Sequence, residues 1–404
     1  MLYSISIFII AALFLFFEMA LQVSPGIMTL NLMHSLNIDI FWLGITSGAY
    51  FISYTVMQIP AGLLYDRFPP RKVIMAPLLI CILGGFTFSL SINIYFAIVG
   101  RILMGFGSAF AFIGVLVVAS HVFKKKYFTL IAGITQMLAS LGAMCGTIPL
   151  IPLLNNYGWR STMVIINSFG IVLLIVMYLF LKLPDNKISP KKLKISHSLS
   201  TVIRKKQTWF IAIYSCLLWM PMAVIASLYG IPFAEKYFNL TFNTAASLIT
   251  LMWIGIAIGA PIAGLLSDFF KKIKITLVIC SIIGFVSFTL LLLLPTHNIF
   301  LIGIFFLACG SSCSGQAISF SLVSKINSVE HRATAIGFNN MAVVISGFIF
   351  QPIVGFVIKH YSHILDNGST IYSASSYYSG MLIVLTGFAL ATLISIIFIK
   401  EVKN

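Results

Sequence analysis

Roughly a dozen times along its 404 residues, the chain runs for about 20 residues with almost nothing but apolar side chains. The runs fall near 5–33, 40–64, 73–92, 94–120, 128–154, 161–183, 208–233, 243–267, 275–295, 299–324, 334–360 and 379–400. A helix of that length crosses a hydrocarbon layer of about 30 Å. It also closes its backbone hydrogen bonds within itself, which a segment surrounded by lipid must do. With 60% hydrophobic and 8% charged residues, the chain cannot cover a water-facing surface. The expected fold is therefore an all-α polytopic membrane protein of twelve transmembrane helices. The polar stretch Lys182–Gln207 divides them six and six. It sets the expected domains: an N-terminal six-helix bundle (1–183), a cytoplasmic basic linker (184–207) and a C-terminal six-helix bundle (208–404).

The net charge of +16 would suggest a nucleic-acid partner in a soluble protein. Here its placement gives a different meaning. All but four of the 25 Lys and Arg residues lie in the termini and the loops that share one side when the runs alternate. Arg160, Lys236 and Lys359 fall on the other side, and Arg101 lies within a run. This is the positive-inside pattern, with both termini cytoplasmic and no nucleic acid implied. The basic central loop is expected to rest against anionic lipid. No basic n-region or small-residue cleavage site accompanies the first run, so it is expected to stay as a helix. The six cysteines all lie in apolar runs without metal-ligand spacing, and they read as inert buried thiols. No cofactor is expected.

One charged phrase occurs twice. Gly62–Lys72 reads GLLYDRFPPRK and Gly264–Lys274 reads GLLSDFFKKIK, an offset of half the chain. Each occupies the short turn between the second and third runs of its half. Gly62 has no side chain and would let a neighbouring helix approach. Asp66 can accept hydrogen bonds from a helix N-terminus, and the eleventh run begins on the same side near Ala333. An acid contributes little to topology, so Asp66 and Asp268 need another reason.

With this repeat at these ordinal positions, the chain resembles the major facilitator superfamily over essentially its whole length. Arg101-Ile-Leu-Met-Gly105-Phe-Gly107-Ser-Ala109 resembles a second pattern of the family, and Gly158-Trp159-Arg160 a weaker third. The text around Leu21–Pro25 and Gln58–Gly62 is similar to a bacterial branch loosely like lysosomal dipeptide carriers. The resemblance implies a secondary transporter working by alternating access in a bacterial inner membrane. Gly62, Asp66, Arg67, Arg71 and Asp268 would then form a cytoplasmic gate. Pro69 stands where the family usually has Gly, and Phe269 follows Asp268 where Arg is expected, so the first copy should be the stronger lock. The helix 5 pattern of drug/proton antiporters is absent, as is the charged cluster of oligopeptide carriers in helix 1.

Eight of the nine acids lie at run ends or in loops, while Glu18 sits near the middle of the first run. A charged acid there costs roughly 2.5–3.5 kcal/mol to insert. Glu18 must therefore face the bundle interior or carry a proton. Three readings stand side by side: Glu18 as the coupling-proton site tuned by Arg101, Arg101 as a ligand for an anionic substrate group, or a static buried pair. Gln22, Tyr50, Tyr54, Gln58, Gln136, Trp219, Tyr229, Trp253, Gln316, Asn339 and Asn340 are polar or aromatic residues in apolar runs. They are the candidate lining of a substrate cavity, with interhelical packing as the competing account. No nucleophile–base set, metal cluster or phosphate loop appears, so an enzyme is not expected. The expectation is a monomeric carrier of a small polar or anionic molecule. Proton-coupled uptake (symport) leads, followed by an exporter or proton-independent facilitator and then a non-transporting sensor.

Overall fold

The computed structural model describes residues 2–124, 128–181, 195–294, 297–328, 331–364 and 370–401. The side chain of Asp66 lies outside what is described, as do most of the central loop (182–194) and Glu330. Among the described residues, eleven helical stretches are long and apolar enough to cross a membrane. One of them, Gly133–Phe180, spans 48 residues and holds both the fifth and the sixth runs. Residue contacts divide the chain into two units, 1–38 with 46–192 and 39–45 with 193–404.

In the first unit, α1 (Leu2–Val23) gives way to a 3-10 turn, Ser24–Ile27, and then to α2 (Thr29–Leu36). Pro25 causes the break, because it has no N–H to give to the carbonyl of Leu21. The run expected to continue to residue 33 is interrupted there. Helix α3 (Ile40–Arg67) ends two residues before α4 (Pro70–Ser89), so the turn carrying the first charged phrase is as short as the sequence implies. Pro70 takes the first helical position, where its missing N–H costs nothing. Helices α5 (Ile94–Ser108) and α6 (Ala111–Val122) make up the fourth run. Helix α7 (Phe128–Cys145) is separated from α8 (Ile151–Phe180) by the 3-10 turn Ile148–Leu150. Within α8, Gly158 at φ +75° turns the chain, in a region of φ/ψ space open to glycine. The boundary expected between 154 and 161 is thus drawn in two steps. Next to that turn Trp159 donates to Ser35 Oγ (2.9 Å), and Arg160 donates to the Ser91 carbonyl (2.8 Å) while lying over the Trp159 ring.

In the second unit, the stretch assigned to the linker contains a helix, α9 (Ile195–Ile203). It packs against α10 (Lys206–Pro221) and α16 (Arg332–His360). After α10 the chain winds as a π-helix over Met222–Tyr229 before α11 (Gly230–Phe238). Ser227 Oγ donates to the Met222 carbonyl at 2.9 Å within that wide turn. Helices α12 (Phe242–Phe270), α13 (Ile273–Leu293), α14 (Ile299–Ser312) and α15 (Gly315–Ile326) follow. The last helix is α17 (Ala374–Leu393), ending in a π turn, Ile394–Phe398. A two-residue hairpin, β1 (His363–Ile364) with β2 (Thr370–Ile371), sits between α16 and α17, where the sequence offered only a loop. Asp39, grouped with this unit, forms an ion pair with Lys359 at 2.7 Å.

The glycines correct one expectation. A Cβ at Gly62, or at its echo Gly264, would meet nothing within 4 Å, so neither marks a close helix approach in this structure. Tight contacts lie at other glycines, among them Gly105, where a Cβ would collide with the Tyr50 carbonyl and Ser53 Oγ. It is therefore the second motif's glycine that lets α5 lie against the backbone of α3. Gly105→Val is expected to lower stability by about 1–3 kcal/mol through overpacking. Gly62→Ala should leave stability unchanged or slightly raised, since alanine is the better helix former. Thermal unfolding in detergent compares the two.

Candidate functional site

The polar residues of the first unit converge on the break at Pro25. The Leu21 carbonyl, left without a helical donor, accepts from Ser24 Oγ at 3.1 Å and from Arg101 Nη1 at 3.1 Å. Arg101 Nη2 reaches the carbonyls of Gln22 and Ser47, each at 3.4 Å. A cation is favourable at this place, because the carbonyl end of α1 carries the negative pole of its dipole. Arg101 is 0% exposed, so the guanidinium clamps α1, α3 and α5 together from inside. Its Nε has no partner among the described residues.

Glu18 is 1% exposed and accepts a hydrogen bond from Tyr50 Oη at 2.6 Å. The Arg101 guanidinium lies over the Tyr50 ring, 4.7 Å from its centre. Among the described residues Glu18 and Arg101 do not form an ion pair. The pairing considered from the sequence is replaced by a relay. The Tyr50 hydroxyl serves the carboxylate and its π face serves the cation, a favourable cation–π geometry. The Tyr54 ring lies 5.9 Å from that of Tyr50, and Tyr54 hydrogen-bonds Gln58 one helical turn on. Glu18, Tyr50, Tyr54, Gln58 and Arg101 are thus linked in one buried polar cluster, Gln22 is buried and lends it a backbone carbonyl, and Gln136 sits half-buried on α7.

The second unit handles its polar residues differently. Asn339 donates to Ser319 Oγ (2.9 Å) and accepts from Ser215 Oγ (3.1 Å), and Ser215 also bonds Ser319 (2.7 Å). That closed set ties α10, α15 and α16 and takes up both ends of the Asn339 amide. Its neighbour Asn340 is half-buried. Tyr229, which could have stood at a membrane interface, is fully buried and donates to the carbonyls of Ile40 (3.1 Å) and Gln351 (3.0 Å). Gln351 was missed in the sequence. It is a buried amide in an apolar run, like Gln316, and it donates to the Ala223 carbonyl at 2.7 Å in the π-helical stretch. Trp253 is fully buried with its indole N–H unpartnered among the described residues, while Gln316 is buried and Trp219 half-buried. Around the charged turns, Arg71 donates to the Tyr178 carbonyl and lies over its ring. Arg67 and Asp268 are exposed.

Comparison with known proteins bears on the family and the fold. Residues 7–352 and 211–403 match the family described as Major Facilitator Superfamily. The MFS-type transporter VdtG of Byssochlamys spectabilis is 29% identical over 150 residues, 36% of this chain and 26% of that protein. The nitrite extrusion protein of Bacillus subtilis is 24% identical over 223 residues, 55% of this chain and 54% of that one. The chain therefore spans between about a quarter and a half of the length of these curated relatives. A bacterial homolog of the human lysosomal transporter Spinster, inward-facing and unoccupied, superposes with a TM-score of 0.81 at 14% identity, covering 97% of this chain and 96% of that one. The nucleoside transporter NupG does so with a TM-score of 0.80 at 15% identity, covering 98% and 100%. At such identities the likeness is one of fold.

The relay predicts an asymmetry that an ion pair would not show. Glu18→Gln keeps an oxygen for the Tyr50 hydroxyl and should cost under about 1 kcal/mol, whereas an ion pair broken from one side costs about 3–5 kcal/mol. Arg101→Lys removes the fork that reaches three carbonyls and should cost roughly 1.5–3 kcal/mol. Unfolding midpoints of the two variants in detergent test this order.

Proposed function

Because the chain belongs to the major facilitator superfamily, and so is a multi-pass secondary transporter rather than an enzyme, we propose that it takes up a small polar or anionic solute together with protons. The observation that carries this reading is Glu18, the one buried carboxylate among the described residues, held by a neutral phenol instead of a cation. With the guanidinium of Arg101 committed to backbone carbonyls, the carboxylate is free to gain and lose a proton without dismantling the helix clamp. A proton moving down the membrane potential supplies about 2.3 kcal/mol per 100 mV, enough for one coupling site to drive modest accumulation. The solute class rests on Arg101, whose Nε–H has no partner among the described residues and suits a molecule that carries acceptors.

In this reading the protein lies in a bacterial inner membrane with both termini in the cytoplasm, as the basic loops indicate. Asp66, with Arg67, Arg71 and the weaker copy at Asp268, holds the cytoplasmic side shut in one half of the transport cycle. A charge-assisted contact of about 1.5–3 kcal/mol is strong enough to bias two states and weak enough to break each turnover. Export is the second reading, favoured by the likeness to a protein named for nitrite extrusion.

Counterflow in proteoliposomes with a panel of amino acids, dipeptides, organic acids, sugars and inorganic anions identifies the solute. Adding an inward proton gradient then tests coupling. Uptake should rise as the outside is acidified, and Glu18→Gln should abolish that rise while retaining counterflow. Proton-driven uptake unchanged in Glu18→Gln would sink the assignment. Separately, Asp66→Asn should insert normally yet transport at least tenfold more slowly, and wild-type rates in that variant would remove the gate.

A further inference from the structure

Three membrane-length helical stretches end around one cavity of the second unit. Lys206 opens the stretch to Phe238, Ile326 closes the one from Ile299, and Phe398 closes the one from Ala374. The cavity measures about 460 Å³, and Lys205, Lys206 and Lys400 share its lining with Phe210, Ile397 and Phe398. Helix ends of this kind lie at the depth of lipid headgroups, outside the hydrocarbon.

The walls are built rather than incidental. Gln207 donates to the Phe398 carbonyl (2.8 Å) and accepts from the Lys400 backbone N–H (3.0 Å), which fixes the chain beyond α17 against the start of α10. Lys205 Nζ donates to the Ile326 carbonyl at 2.8 Å, which anchors the ammonium and leaves two of its three protons for a ligand. The rings of Phe210 and Phe398 stack with centres 4.9 Å apart. The neighbouring carboxylate, Glu401, is taken up by the backbone N–H groups of Ile273 (3.2 Å) and Lys274 (2.7 Å). Lys274 in turn places its ammonium on the Ile396 carbonyl.

We infer that this cavity is a binding site for an anionic phospholipid. The headgroup phosphate sits among Lys205, Lys206 and Lys400, and an acyl chain runs over Phe210, Ile397 and Phe398. The positive pole of α10, which begins at Lys206, faces the same phosphate. A free phosphate ion would use the lysines but would leave the exposed Ile397 and Phe398 without a role. A lipid satisfies both halves of the lining.

The test uses the full chain in a neutral detergent and counts bound lipid by native mass spectrometry. Phosphatidylglycerol and phosphatidylcholine are titrated separately. Wild type should hold one phosphatidylglycerol in clear preference to phosphatidylcholine. Each of Lys206→Gln and Lys400→Gln should weaken it about fivefold, roughly 25-fold together. Lys271→Gln with Lys272→Gln, which removes the same charge from another exposed turn, should leave it unchanged. Equal binding of the two lipids, or equal loss in the control pair, overturns the site. Displacement of the lipid by millimolar inorganic phosphate assigns it to a soluble anion and overturns the lipid reading. Should the lysine variants fail to fold, the wild type still decides. Trp209 is exposed on α10 beside the lining residue Phe210, and phosphatidylglycerol with brominated chains should quench its fluorescence, read as the difference from Trp209→Phe, several-fold more than brominated phosphatidylcholine does. Equal quenching overturns the proposal.

Discussion

A peptide carbonyl inside hydrocarbon has no water to turn to, and the first unit is organised around one such group. Pro25 strips the Leu21 carbonyl of its helical donor, and Arg101 supplies the replacement. An unsatisfied group at that depth would cost several kcal/mol, which is why so expensive a side chain as a fully buried arginine is retained. Once Arg101 is fixed by carbonyls from α1 and α3, its guanidinium plane sets the position of the Tyr50 ring, and the ring sets the hydroxyl that meets Glu18. The location of the acid is thus a consequence of how a broken helix is repaired.

The two units divide polar labour unequally. In the first, a carboxylate, a phenol and a guanidinium form an open chain in which one member can change charge. In the second, hydroxyls and amides close on one another, as in the Ser215–Ser319–Asn339 set, and no carboxylate is buried among the described residues. Neutral closed networks hold a shape and leave little to titrate. The proposed proton chemistry therefore belongs to the half whose buried polar groups carry charge.

Much of the architecture was legible because hydrocarbon imposes length and composition on every helix. The helical runs and the short turn before Pro70 follow from those constraints. Breaks inside runs were harder to read. The π-helix at Met222–Tyr229 depends on where neighbouring side chains take up freed carbonyls, and no local pattern encodes that. The candidate site was legible as a list but not as a set of contacts. Glu18 and Arg101 stood out because charge is rare in these runs, yet opposite charges suggested a pair, and the competing demand of the Leu21 carbonyl came from a proline three residues beyond Gln22. Asn339 looked open because an amide in an apolar run needs partners. The partners proved to be serines, too common along the chain to carry a signal.

The π-helical stretch after Pro221 changes how its helix must be drawn. Each π turn accommodates an additional residue relative to an α turn, so each residue turns through a smaller angle and the direction in which side chains point falls behind that of an α-helix between Met222 and Tyr229. A helical wheel plotted at 100° per residue from α10 would therefore assign Tyr229, Glu235 and Tyr237 to the wrong faces. Tyr229 meets Gln351 and Ile40 from that reset direction, and a gapless superposition of this helix on a straight α-helical counterpart pairs residues that point in different directions.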